Sequence, residues 1–143
     1  LESSLLLVHE FGIVEPEDYR MINTVKAIEE GLWIKDGIGG LARYENDYYH
    51  RVSDNVPGNP WIITTLWLAN WYTEVGLFDK TFSLLNWVLK RKTQAGLLAE
   101  QYNPFTGEPL SVCPLTWSHS SFCYSVQKLN KKLMLQKTPE YVE

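Results

Sequence analysis

The apolar positions of this chain fall into five blocks with helical spacing, separated by two long stretches that keep no period. The first ten residues, LESSLLLVHE, read as a short helix that Ser3 or Ser4 caps and Gly12 ends. A second helix opens at Glu15-Pro16-Glu17-Asp18, where proline suits the first turn and acids suit the positive end of the helix dipole. Its apolar positions are Ile22, Val25, Ile28 and Leu32. The third helix is expected from Asn59 as N-cap, with Pro60 at the first helical position, to a stop at Gly76. Its sequence, WIITTLWLANWYTEV, is apolar nearly all round, so neighbours must cover it on more than one side. A fourth helix, Asp79 to Thr93, takes Phe78, Phe82, Leu85 and Leu89 as its apolar face and is closed by Gly96. A fifth, Trp117 to Gln136 behind the cap Thr116, carries Phe122, Val126, Leu129 and Leu133, with Lys128, Lys131 and Lys132 facing water.

The fold class is therefore all-α, with about five helices, no expected strand and two long loops. Helical hairpins stack into bundles, solenoids or closed rings, and an all-round apolar helix needs such company. No repeat of fixed period supports a regular solenoid. The 59–75 segment reads best as an inner helix of an α/α toroid, a ring that five helices alone do not close.

Composition narrows the partners. The 143 residues suffice for one domain with one core. Net charge is −4, and the longest basic tract is Lys90-Arg91-Lys92, placed at the negative end of the fourth helix where cations are favoured. Phosphate binding needs a concentrated positive face, so nucleic acid is not an expected partner. Nor is a membrane, since no apolar run approaches the roughly 20 residues that span one. Cys113 and Cys123 form neither a CxxC nor a metal-spaced pair and are expected to be small core residues; no metal or cofactor is expected. Residue 1 is Leu and nothing resembles a signal peptide, which suggests a start inside a longer polypeptide. Six Trp, eight Tyr and five Phe exceed what a core of this size needs. Rings beside polar groups suit sugars, whose C–H faces stack on them.

The two aperiodic stretches hold the candidate chemistry. The first, Gly31 to Gly58, offers Arg43, Tyr44, Asp47, Tyr48 and Tyr49; the second offers Glu100, Gln101, Tyr102, Ser111 and Trp117. Loops of this length inside a compact domain are commonly functional. They follow helices two and four, and in an up-and-down array alternate connections emerge at the same end. Arginine, carboxylates and rings on one shared face would suit a polyol.

Three ordered motifs, "RYENDYYHRVSDNVPGNPW", "GLLAEQYNPFTGEPLSV" and "PLTWSHSSF", resemble the C-terminal part of the catalytic domain of family 15 glycoside hydrolases, the glucoamylases and their glucodextranase, α-glucosidase and trehalase relatives. "SSLLLVHEFGIVEPEDYRMINTVKAIEEGL" is similar to the run that precedes them there, so the likeness covers about residues 1–125. The resemblance implies a partial (α/α)6 toroid, the upstream half lying outside these residues, and an inverting, exo-acting enzyme that releases glucose from non-reducing ends of α-glucans or oligosaccharides. It implies Glu100 as general base, Arg43 and Asp47 as holders of the non-reducing glucose, Trp117 near the sugar, and Ser111 as a hydroxyl bonded to the base. Gln101 and Tyr48 join them as substrate-binding residues, and Trp61 as a packing residue beneath the cleft. Ala99 stands where many relatives have proline, and the tail after about Lys128 departs from the likeness. No general acid is found, and Glu45 matches no motif, so these residues alone are expected to be inactive. A trehalase, or a non-catalytic carbohydrate-binding or regulatory module with the same fold, are the alternatives.

Overall fold

In the computed structural model, which describes residues 1–137, the all-round apolar segment lies at the centre, as its pattern requires. The order is a 3-10 helix (Ser3–Val8), α1 (Tyr19–Leu32), β1 (Leu41–Ala42), β2 (Pro60–Trp61), α2 (Ile62–Glu74), α3 (Phe78–Leu89), β3 (Gln101–Tyr102), β4 (Pro109–Leu110) and α4 (Thr116–Lys137). Eleven of the thirteen residues of α2 are buried. One side of it packs with Leu6, Met21, Val25, Ile28, Leu32 and Leu41; the other packs with Leu85, Val88, Leu98, Tyr102 and Leu129. A helix shared by two apolar clusters is what an inner position in a helical ring demands.

Several local expectations are corrected. Glu2, not Ser3 or Ser4, caps the first helix, its carboxylate accepting from the Ser4 N–H at 3.3 Å. Ser3 is buried instead, and its hydroxyl donates to the Ala42 carbonyl. α1 begins after Asp18, which accepts from the Arg20 N–H at 2.8 Å, and its buried face holds Met21 where Ile22 was expected. α3 buries Thr81, Leu84, Leu85, Trp87 and Val88, leaving Phe82 and Leu89 exposed. On α4, Leu129 is buried, Val126 is exposed, and Lys128 is drawn into ion pairs rather than facing water. Both cysteines are exposed. Arg91 does serve the end of its helix, donating to the Trp87 carbonyl at 2.6 Å, but it also reaches the Ile38 carbonyl at 2.7 Å. Burial lowers its pKa to about 10. That arginine, stacked 3.8 Å from the Trp87 ring, pins the first long loop against α3. Gly40 makes the approach possible: at φ 89°, any side chain would meet Trp87 at 2.3 Å.

The largest correction is a sheet. Four strands of two residues each pair antiparallel in the order β1-β2-β3-β4, with Leu41 opposite Trp61, Trp61 opposite Gln101, and Gln101 opposite Leu110. Pro60, expected to start a helix, lies in β2, and α2 begins only at Ile62. Two-residue strands leave no alternation to read in a sequence. Their effect is large, because they lace both long loops into one rim at the start of α2.

Candidate active site

Arg43 follows β1 directly and forms a two-pronged pair with Asp47, Nε to Oδ2 and Nη2 to Oδ1, both at 2.9 Å. Asp47 is only 1% exposed and also accepts from the Tyr49 N–H at 3.0 Å. Burial works against the Arg43 charge, but the bonds to Asp47 outweigh it and its pKa is raised. The guanidinium lies 4.4 Å from the Trp61 ring centroid, 4.9 Å from Tyr44 and 5.5 Å from Tyr49. It is a cation fixed in an aromatic cage, oriented from below by a carboxylate that does not itself reach the surface.

Glu100 enters the same sheet from the other loop. Its carbonyl accepts from the Ile62 N–H at 3.2 Å, and its N–H donates to the Val112 carbonyl at 2.9 Å. Extending the β3–β4 register by one residue sets it across from Ser111. The residues on either side, Ala99 and Gln101, are fully buried. Among the described residues the Glu100 Oε2 is buried without a hydrogen-bond partner, as are Trp61 Nε1 and Gln101 Nε2. Unpaired buried polar atoms are expensive, and three of the seven among the described residues gather on this one short sheet.

The two loops also touch through side chains. Tyr49 and Ser111 hydroxyls lie 3.2 Å apart. Ser111 was expected to bond the base; among the described residues its partner is Tyr49 instead. Asn46, His50 and Ser111 all have left-handed φ without being glycine, at 58°, 55° and 61°, so backbone strain gathers in these loops. Two expected residues stand apart. Tyr48 is 79% exposed, with Arg51 over its ring at 5.6 Å. Trp117 is 53% exposed and meets Trp67 at 6.1 Å, beside a cavity of about 430 Å³ that Asn70 and Tyr124 also line. The turn that carries Trp117 is nonetheless anchored next to Glu100: Ser118 donates to the Ala99 carbonyl at 2.8 Å, and His119 accepts from the Leu98 N–H at 3.0 Å. Tyr49 was named among the first loop's candidates without a role, and its bond to Ser111 joins the two loops. Asn59 was not named as a candidate, because it precedes a proline and looks like a helix cap.

The described helices form part of a helical array whose polar rim carries a caged arginine and a carboxylate oxygen for which the described residues supply no partner. The sequence pattern of glycosyl hydrolases family 15 matches residues 1–126, and the chain belongs to that family. An uncharacterized glycosyl hydrolase of Methanocaldococcus jannaschii is 34% identical over 94% of this chain and 23% of its own length. Trehalase 2 of Sulfolobus acidocaldarius is 27% identical over 92% of this chain and 22% of its own. The chain thus spans less than a quarter of either relative. A bacterial glucoamylase crystallised with acarbose superposes with a TM-score of 0.81 at 21% identity, over 92% of this chain and 20% of that one. The fold is part of an (α/α)6 toroid.

Proposed function

We propose that these residues form the C-terminal part of the catalytic domain of an inverting, exo-acting α-glucosidase of the glucoamylase type, with Glu100 as general base. The observation that carries this is the Glu100 carboxylate, set in a rigid sheet with Oε2 buried and unpartnered, on the rim that holds the Arg43–Asp47 pair. A bound water gives its proton to Glu100 while its oxygen attacks the anomeric carbon; the bond to the leaving oxygen breaks on the opposite face, and that oxygen takes a proton from a general acid. Inversion sets the two carboxyl groups roughly 6.5–9.5 Å apart to admit the water. The acid and the rest of the ring come from polypeptide outside these 143 residues. Exposed Phe11 and Ile13, at 74% and 70%, suit surfaces that further helices cover.

Arg43 holds hydroxyls of the non-reducing glucose, and Asp47 holds Arg43. Gln101 and Ser111 line the base's sheet; Trp117 and Tyr48 supply rings at its margins. Asp47, being buried, acts through the arginine rather than on the sugar. The likeness to a Sulfolobus trehalase favours a second reading, trehalose as the substrate. Release of glucose from maltose, maltotriose or trehalose by the complete protein separates the two. Glu100→Gln should lower turnover by about 10²–10⁴-fold and leave acarbose affinity within about tenfold. Undiminished turnover in that variant would remove Glu100 as the base, and a complete wild-type protein that binds acarbose but cleaves neither maltose nor trehalose would favour a non-catalytic sugar-binding module.

A further inference from the structure

An open groove of about 420 Å³ lies between α1 and α3 and shares no residue with the rim site. Its size falls in the range of small-ligand sites, roughly 300–1,000 Å³. Trp33, at the end of α1, and Leu84 of α3 form its apolar part. The Trp33 backbone is bridged to Leu41, and its indole is only partly buried. Gly39, at φ 72°, lets the first loop fold back so closely that a Cβ there would lie 3.1 Å from Trp33 Cζ2. Tyr72, reaching the groove from α2, is 4% exposed. Its hydroxyl donates to Glu29 Oε1 and accepts from Lys80 Nζ at 3.4 Å. Burial, and then the bond to Glu29, raises the Tyr72 pKa, so the phenol stays a neutral donor. Lys80 lies 3.7 Å from the same Oε1 and 4.7 Å over the Tyr72 ring. The side chains of Asp79 and Ser83, also on this groove, make no bond to another described residue. Phe11 and Ile13 stand bare where further helices are proposed to pack, but among the described residues no such exposed apolar side chain lines this groove.

We propose that this groove is a second carbohydrate site, which takes internal glucose units of an α-glucan with a sugar face on the Trp33 ring. The proposal rests on the sugar-hydrolase reading above, which supplies the class of ligand. A sugar turns an apolar C–H face to a ring and offers hydroxyls that both donate and accept. Here Glu29 and Asp79 accept, Lys80 donates, and the Ser83 hydroxyl does either. The charges favour a neutral ligand. A cation would find the place over the Tyr72 ring already filled by Lys80, and an anion would meet two carboxylates against one ammonium. The groove is open along the surface, so a chain can lie across it without presenting a terminus.

The test uses β-cyclodextrin, a closed ring of glucose units, because an exo-acting rim takes chain ends and this ligand has none. Calorimetric titration of the complete protein should show β-cyclodextrin binding that does not inhibit maltose turnover. Trp33→Ala should raise its Kd about tenfold or more, while kcat/KM for maltose stays within about twofold. An unchanged Kd in that variant overturns the proposal. Competitive inhibition of maltose turnover by β-cyclodextrin would place the ligand on the rim and overturns it too. If Trp33→Ala fails to fold, Ser83→Arg decides: position 83 is exposed on α3, and the long cation would cross the groove toward Asp79 and Glu29. It should weaken β-cyclodextrin by a similar factor, and unchanged affinity there again overturns the proposal. A protein that cleaves maltose or trehalose but does not bind β-cyclodextrin would sink this proposal alone. One that cleaves neither and binds neither acarbose nor β-cyclodextrin would sink it together with the functional reading.

Discussion

Two clusters of charge lie at different places on this part of the toroid, and they are built on opposite principles. Where the 3-10 helix, α2 and α4 meet, Lys128 bridges Glu10 and Glu74, each at 2.8 Å, and Lys132 adds a further pair to Glu74 at 2.9 Å. Tyr124 donates to Glu10 as well. Two acids meet two bases, and every carboxylate has a partner. On the same sheet's rim, the Arg43–Asp47 pair is equally complete, but Glu100 has an oxygen with no partner among the described residues. Burial of charge is common to both clusters, so burial does not mark the chemistry. On the reading proposed above, in which Glu100 is the base, the carboxylate oxygen that no described residue partners marks it, because a base keeps its lone pairs for the proton it takes.

Substitutions at the two places should therefore separate cleanly. Glu100→Gln removes the base and should cut turnover by about 10²–10⁴-fold with little loss of stability, since no partner is orphaned. Lys128→Met should do the reverse. It leaves Glu10 facing Tyr124 alone and Glu74 with Lys132 only, and should cost about 2–4 kcal/mol in denaturant melts while maltose turnover per folded molecule stays unchanged. Equal losses of turnover from both would erase the distinction.

Asp47→Asn tests whether the completed pair on the rim belongs with the base or with the structural network. The amide keeps an acceptor for the Tyr49 N–H but no longer holds the guanidinium with two charged prongs. Arg43 has rings around it and stays partly hydrated, so the stability cost should be about 1–2 kcal/mol. Its orientation toward the sugar should suffer more: kcat/KM for maltose is expected to fall about 10–100-fold, chiefly through KM. A loss confined to stability would place Asp47 with Lys128.

The same contrast explains what was legible in the sequence. The α2 pattern, apolar on every side, named its own surroundings, and the helix is buried as that pattern demands. The Arg43, Glu100 and Trp117 motifs were readable because they are short and ordered along the chain. Lys128 was not, because its partners lie 118 and 54 residues away and a helix pattern says nothing of them. The sheet was invisible for a related reason: its strands are two residues long and are defined by their pairing across loops. Asn59 before Pro60 carries a strong helix-start signal, and tertiary bonds to His50 and Gln101 overrode it.

The smallest expected effect concerns the structural cluster and pH. His9 packs against it, with Nε2 buried and without a partner among the described residues. Its pKa lies below the usual 6.5, chiefly because burial disfavours the cation, with Lys128 adding to that and Glu10 and Glu74 opposing it. The folded state thus binds a proton less readily than the unfolded one. Its contribution to stability is present above pH 6.5 and is lost as pH falls from there through the depressed value. Glu74 acts in the same direction but in a lower window. Burial raises its pKa, the bonds from Lys128 and Lys132 outweigh that, and the net value lies below 4.5, so its share is lost only as pH falls from about there. His9→Gln should therefore flatten the fall in melting temperature just below pH 6.5 and leave the fall near pH 4 in place, while Lys128→Met should weaken the lower one. Neither variant should move the pH profile of turnover. An upper transition that persists unchanged in His9→Gln would show that the histidine is not the group that senses acid there.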